Sequence, residues 1–308
     1  MDIFLTLFTN LIPLYILIAL GFIAGRFLNV DRESVANLVI YLCLPIVVFG
    51  FVVNLEFHPS YVILPIIVIV VCSVVGGATY LLGQKIFGDN RANLLSMCTS
   101  MPNSGYFGLP LVILLFKEQP QWVGVYMFMM LGVTVYDSTI GYYIAARGSF
   151  SVRDSLIKLV KFPAIYAVSL ALILNLMSVE MPEVFQTYWT HFKGAYVVMG
   201  MMIIGAALSK VDRLVFGPRF LSIVCAGKFV LWPVTMGLLT LLDMHFLHIF
   251  NAEIYKLMLI ISIVPPAANI AAFAAQLNVQ PEKAATTVLM CTILALFYIP
   301  FIIMISGI

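Results

Sequence analysis

Hydrophobic residues in this chain fall into ten long runs, and short stretches that carry most of the charged residues separate them. Each run is about 17–25 residues long, and a helix of that length crosses about 30 Å of hydrocarbon. We therefore predict an all-α polytopic membrane protein with ten transmembrane helices. Their approximate limits are 3–26, 34–54, 61–83, 92–116, 121–146, 162–179, 190–209, 219–242, 253–277 and 284–306.

The fourth and the ninth run are interrupted by residues that a membrane helix avoids. The first interruption is Met101–Pro110 (MPNSGYFGLP) and the second is Pro265–Ala272 (PPAANIAA). A helix broken in hydrocarbon leaves backbone N–H and C=O groups unpaired. Such breaks are tolerated where they line a polar cavity, and paired breaks indicate a transporter binding site. The predicted helix-breaking residues are Pro102, Gly108, Pro110, Pro265 and Pro266.

Weak sequence matches relate the two halves of the chain. Pro13 and Pro163 lie 150 positions apart, Pro102 and Pro266 lie 164 apart, and two Gln-Pro pairs lie 161 apart. These offsets indicate a repeat of about 155 residues, and an odd number of crossings makes the second copy enter from the opposite face. We predict a 5+5 inverted repeat, with the first copy in 1–146, a short cytoplasmic linker in 147–161 and the second copy in 162–308.

Composition and charge agree with a membrane protein and set its predicted orientation. The chain is 63% hydrophobic and 10% charged, with a mean hydropathy of +1.09. Of its 16 Lys and Arg residues, twelve lie at the loops after runs 1, 3, 5, 7 and 9, three lie on the opposite side, and one is Lys228 deep inside a run. The positive-inside rule then places both termini outside a plasma or inner membrane. Because topology accounts for the basic residues, no nucleic-acid partner is expected.

The chemistry of the two breaks favours an anion. Counting 1.5 Å per residue brings Asn103 and Asn269 to the middle third of the bilayer from opposite sides. The half-helices that follow the breaks would direct their N-termini at one point, and helix N-termini and amide groups suit a carboxylate. The carbonyls that end the preceding half-helices suit a cation. The alternative is a pair of proline kinks in which the asparagines satisfy the freed backbone groups.

The broken stretches, the later Gln276–Asn278 segment and the ten runs resemble the auxin efflux carrier family, which includes plant auxin carriers and bacterial permeases described as malate or malonate carriers. The resemblance covers nearly the whole chain. It implies a fold similar to bile-acid/sodium symporters and sodium/proton antiporters, in which a transport domain built around crossed helices 4 and 9 moves against a scaffold. It also implies organic-anion transport, and it places Cys43 and Pro45 in the scaffold opposite the crossover. There they either line the substrate path or form a plain helix kink. It places Asn103 and Asn269 where the family's crossover asparagines contact the substrate carboxylate. The predicted substrate-binding residues are these two and their neighbours at the breaks: Ser104, Gly105, Tyr106 and Ile270. The very short central loop differs from that of the plant members, so indole acids are not supported as substrates.

Asp137 and Lys228 are the formal charges that lie deep inside predicted helices, where ionisable groups are costly and usually functional. Both lie nine residues from the cytoplasmic end of a run, so the two side chains could meet. One hypothesis makes Asp137 a site for a coupling H⁺ or Na⁺, with Lys228 as its partner or as a contact for the substrate. The other makes them a structural ion pair.

Other functional classes have less support in the sequence. No phosphate-binding loop for ATP is present, and no paired aspartates, HExxH site or serine–histidine arrangement indicates an intramembrane enzyme. No cofactor or metal is expected. The prediction is therefore a secondary active transporter for a small organic anion in a lipid bilayer. The alternatives are a cation-coupled carrier of another solute class and a membrane sensor that does not transport; a homodimer is compatible with each of them.

Overall fold

The computed structural model describes residues 2–146, 160–209 and 214–307, so most of the predicted linker 147–161 lies outside the described residues. Within these ranges the chain is helical, and every one of the ten predicted runs contains a helix. The helices are α1 (Asp2–Phe27), α2 (Arg32–Val53), α3 (Pro59–Phe87), α4a (Arg91–Ser100), α4b (Ser104–Leu115), α5 (Gln121–Ala145), α6 (Pro163–Leu176), α7 (Glu183–Ser209), α8 (Pro218–Leu247), α9a (Ala252–Ile263), α9b (Ile270–Gln276) and α10 (Pro281–Ser306).

Seven of the described helices are long and apolar enough to cross a membrane: α1, α2, α3, α5, α7, α8 and α10. The helices of the other three runs are shorter. α6 has 14 residues, and the fourth and ninth runs are each divided into two helices. Large apolar side chains lie exposed at four-residue spacing on the outer helices, as at Ile66, Val70 and Val74. In water such a surface is a liability, whereas lipid tails cover it. The protein is an all-helical polytopic membrane protein.

Three helices contain a widened turn, in which the backbone hydrogen bond spans five residues, and each turn ends two residues before a proline. The turns are Val39–Cys43, Ser104–Gly108 and Gly227–Leu231, and the prolines are Pro45, Pro110 and Pro233. Proline has no N–H and collides with the carbonyl four residues earlier. The widened turn changes the hydrogen-bond register there, so the helix continues past the proline. Two further widened turns in the described residues, not followed by such a proline, begin at Asp137 in α5 and at Asp243 in α8.

Helix ends follow local capping chemistry. The Asp31 side chain accepts a hydrogen bond from the Ser34 backbone N–H (2.9 Å) and so begins α2, and Asn251 caps α9a in the same way. Gly88 ends α3 with φ +68°, a left-handed conformation that glycine adopts without a steric penalty. These caps fix where the charged loops leave the helical bundle.

Helix packing divides the bundle into two sets of neighbours. α1 lies along α7, and α2 packs against α6 and α7, whereas α3 packs against α4a and α5. Gly21 and Gly25 of α1 contact Met202 and Ser209 of α7 so closely that an added Cβ would collide with them. This Gly-xxx-Gly face is therefore buried inside the protein, and it does not form a dimer interface.

Candidate functional site

The two interrupted segments meet at their breaks. Pro102 and Pro266 form an isolated antiparallel bridge, in which the Asn103 N–H donates to the Pro265 carbonyl and the Ala267 N–H donates to the Met101 carbonyl, both at 2.8 Å. Each break therefore satisfies backbone groups that the other leaves unpaired. This exchange explains why two non-helical stretches are stable in the interior of a membrane protein.

Two side chains of α8 donate hydrogen bonds to the C-terminal ends of α4a and α9a, the half-helices that precede the breaks. Trp232 Nε1 donates to the Thr99 carbonyl at 2.6 Å, at the end of α4a. Lys228 Nζ donates to the Ser262 carbonyl at 3.0 Å, at the end of α9a. Both carbonyls lack their usual helical partner, since the Asn103 N–H pairs with Pro265 and Pro266 has no N–H. Lys228 Nζ also lies 4.3 Å from the centre of the Trp232 ring.

α5 stabilises the start of the half-helix that follows the first break. Tyr126 Oη donates to the Ser104 carbonyl at 3.1 Å, and the Gly108 N–H donates to the Asn103 carbonyl at 2.8 Å. A Cβ on Gly108 would collide with Tyr126 Oη, so this position requires glycine. Gly108 and Pro110, which we expected to break the helix, both lie inside α4b, because its widened first turn ends at Gly108 and accommodates the proline.

A cavity of about 200 Å³ lies beside the bridge. Asn103, Ser104, Gly105 and Tyr106 line it from the first break, and Asn269 lines it from the second. The remaining lining residues come from neighbouring helices and are mostly apolar, with some polar groups from α5 and α7: Ile40, Leu44, Met130, Val133, Thr134, Asp137, Ser138, Phe162, Tyr196 and Phe273, together with Pro102 and Ala267. The structure thus brings together five of the six substrate-binding residues predicted from the sequence.

Several polar atoms at this cavity are buried without a protein partner. Among the described residues, no acceptor or donor pairs with Asn103 Nδ2, Tyr106 Oη or Asp137 Oδ1. Asn269 Oδ1 accepts a hydrogen bond from Arg32 Nη2 at 2.6 Å. The side-chain amide of Asn103 is therefore not used to repair the broken backbone, since the bridge and the α8 side chains do so. Buried polar groups of this kind require an explanation, and a polar ligand supplies one.

Three of the predicted site residues, Cys43, Pro45 and Ile270, are absent from the lining of this cavity. Cys43 and Pro45 do not line the cavity; their neighbours Ile40 and Leu44 do, because residues four apart share one face of a helix. Ile270 is fully buried in the apolar core. The half-helix α9b has only seven residues, so its N-terminus is a weaker source of positive potential than the 12-residue α4b.

Asp137 and Lys228 have different environments and do not form the ion pair that the sequence allowed. Asp137 borders the cavity, whereas Lys228 is 0% exposed and is held by Ser262 and Trp232. In the described ranges no ion pair joins the two side chains. Each of the two residues lies in a widened turn of its helix.

Sequence reasoning missed Arg32 and Trp232. Arg32 was counted only as a loop charge that sets the orientation. Trp232 lies four residues after Lys228, on the same helix face, and this spacing was the available signal.

Interrupted helices that meet beside a cavity with buried polar groups in a helical membrane protein are typical of membrane transporters. The family described as membrane transport protein matches two stretches, residues 6–151 and 149–303. The chain belongs to this family, the auxin efflux carrier family of membrane transporters. The chain is also 26% identical over 233 residues to a protein of Methanocaldococcus jannaschii that is named as an uncharacterized transporter. The aligned region covers 71% of this chain and 74% of that relative.

Proposed function

We propose that this protein is a secondary active transporter that moves a small organic carboxylate across the membrane by alternating access. The observation that carries the proposal is the pairing of Pro102 with Pro266 beside a cavity that Asn103 and Asn269 both line. The substrate carboxylate binds between the two asparagines, and Asn103 Nδ2, which has no partner among the described residues, donates to it. The mostly apolar remainder of the cavity receives the carbon skeleton of the substrate.

The size and polarity of the cavity favour a small ligand. A volume of about 200 Å³ is below the range of roughly 300–1,000 Å³ that is usual for drug-sized ligands. Tyr106 and Tyr196 add phenol groups to the wall, and neighbouring Ser104 and Gly105 leave room beside the backbone. An acid of a few carbon atoms satisfies both the donors and the volume.

Asp137 makes coupling to a cation part of the proposal. Its carboxyl group borders the same cavity, and Oδ1 has no partner in the described part of the chain. A proton or Na⁺ bound at Asp137 compensates the negative charge of its carboxylate, which would otherwise repel the substrate anion beside it. The same observation supports the second candidate function, a proton- or sodium-coupled carrier of another solute class.

The proposed architecture is a 5+5 inverted repeat with all ten segments crossing the bilayer. Two family matches of about half the chain each, and the bridge between corresponding breaks, support it. We assign α1, α2, α6 and α7 to a scaffold and the remaining helices to a moving transport domain, in line with their packing. The distribution of Lys and Arg supports extracytoplasmic termini in a plasma or inner membrane.

Uptake into proteoliposomes tests this function. Purified protein is reconstituted, and a panel of labelled mono- and dicarboxylates is supplied under imposed pH, sodium and voltage gradients. We expect saturable uptake of at least one acid and counterflow when unlabelled acid is trapped inside, since counterflow distinguishes a carrier from a channel. Absence of uptake and counterflow for every organic anion would refute the proposal.

A further inference from the structure

The residues that line the cavity bring no positive charge to the proposed anion site. In the described part of the chain the single formal charge among them is the acidic Asp137. Lys228 does not compensate the negative charge of Asp137, because the Lys228 Nζ donates to the Ser262 carbonyl and faces the Trp232 ring. A buried anion without an opposite charge is costly. A cation from outside the lining would add to the amide donors and the helix N-terminus in stabilising an anion beside the two asparagines.

Arg32 is at the right place to supply this charge. It is the first residue of α2, directly after the Asp31 cap, and its side chain extends to the second break, where Nη2 donates to Asn269 Oδ1 at 2.6 Å. The guanidinium also lies within electrostatic range of the Tyr106 hydroxyl. The capping carboxylate of Asp31 accepts from Ser34 N and Oγ, at 2.9 and 2.6 Å.

The guanidinium has donors to spare. Arginine carries five N–H donors in a planar fork that matches both oxygens of a carboxylate. Arg32 Nε is buried, and no partner for it is present among the described residues. Tyr106 Oη and Asn103 Nδ2 are likewise buried without a hydrogen-bond partner among the described residues. Three buried donors without partners, from α2 and from the first break, thus accompany the hydrogen bond to Asn269.

We propose that Arg32 is an additional substrate-binding residue, and that its guanidinium pairs with the substrate carboxylate and so selects anions over neutral solutes. The substrate oxygen takes the place of Asn269 Oδ1 on the guanidinium or binds beside it through Nε. The amide of Asn269 is then available to donate to the same carboxylate. This inference rests on the proposed function and deepens it, because it names the group that provides the charge selectivity of the site.

The test compares Arg32→Gln, Arg32→Lys and the control Arg219→Gln in proteoliposomes, with whichever acid of the panel the wild type transports. Arg219 is exposed, so its substitution removes the same charge away from the cavity. We expect Arg32→Gln to raise KM about 10- to 100-fold, the loss that one charge-assisted hydrogen bond represents, with Vmax within about twofold of wild type. Arg32→Lys keeps the positive charge but lacks the planar fork of N–H donors, so its KM should lie between those of wild type and Arg32→Gln. Arg219→Gln should match wild type.

A second measurement separates substrate binding from a merely structural link to Asn269. The uncharged amide of the transported acid is used as a competitor of uptake. In wild type it should compete far more weakly than the acid, and in Arg32→Gln this preference should shrink by the same factor as the rise in KM. If Arg32→Gln keeps the wild-type KM, lowers only Vmax, or retains the preference for the acid, the inference is wrong while the proposed function stands. If Arg32→Gln does not fold, an unchanged KM in Arg32→Lys refutes the inference equally. If wild type transports no anion, the proposed function and this inference both fail.

Discussion

Trp232 provides the clearest test of how the broken helices are held together. Its Nε1 donates to the Thr99 carbonyl at 2.6 Å, and the side chain is 0% exposed. Trp232→Phe keeps an aromatic ring but leaves that carbonyl without its donor in the protein interior. Removing one partner of a buried hydrogen bond costs about 1–3 kcal/mol, whereas such bonds inside membrane proteins are worth about 0.6–1.7 kcal/mol. We therefore expect the free energy of unfolding to fall by about 1–2 kcal/mol.

The chain offers a matched control for this substitution. Trp122 Nε1 donates to Gln119 Oε1 at 2.9 Å in an exposed position, where water can replace the acceptor. Trp122→Phe should change stability by less than about 0.5 kcal/mol. The assay is reversible unfolding of both variants and of wild type in the same lipid–detergent mixture. Equal stability of Trp232→Phe and Trp122→Phe would refute the assignment of Trp232 as the cap of α4a.

Three further outcomes follow from the site. Gly108→Ala should abolish uptake because the new Cβ collides with Tyr126 Oη, and the double variant Gly108→Ala/Tyr126→Phe should recover part of it; no recovery would contradict this contact. Asp137→Asn should leave protein abundance intact and remove the dependence of uptake on the pH or sodium gradient, and an unchanged gradient dependence would exclude Asp137 as the coupling site. In a variant without native cysteines, Ser138→Cys should react with a small maleimide more slowly when substrate is present, since Ser138 lines the cavity; equal rates would count against binding there.

The helical segments and the positions of the breaks were predictable because both depend on local chemistry. Runs of apolar residues predicted ten segments, and each of them contains a helix. The limits agree within about four residues except at α7, which begins at Glu183 and not at 190, and at α8, which ends at Leu247 and not at 242. Prolines marked the interruptions, since a proline cannot donate the hydrogen bond to the carbonyl four residues earlier, which is a local effect. Membership in the auxin efflux carrier family is confirmed.

The partners of the site residues were not predictable, because they depend on contacts between distant parts of the chain. The hydrogen bond from Arg32 to Asn269 spans 237 positions, and the one from Trp232 to Thr99 spans 133. The expected meeting of Asp137 and Lys228 rested on equal depth in the bilayer, but depth does not say which side of a helix faces which neighbour. Both residues also lie in widened turns, where the hydrogen-bond register of the helix changes, and no sequence period reveals such turns.

The central claim is that a carboxylate binds between Asn103 and Asn269. Equilibrium binding of the transported, labelled acid to purified protein tests it most directly, with Asn103→Asp as the variant and Asn54→Asp as the control. The first substitution replaces an unpaired buried donor with an anion of the same shape, whereas Asn54 is exposed at the end of α2. We predict that Asn103→Asp loses binding by at least about 100-fold, because like charges meet in a desolvated site, and that Asn54→Asp binds as wild type does. Wild-type affinity in Asn103→Asp would contradict the account.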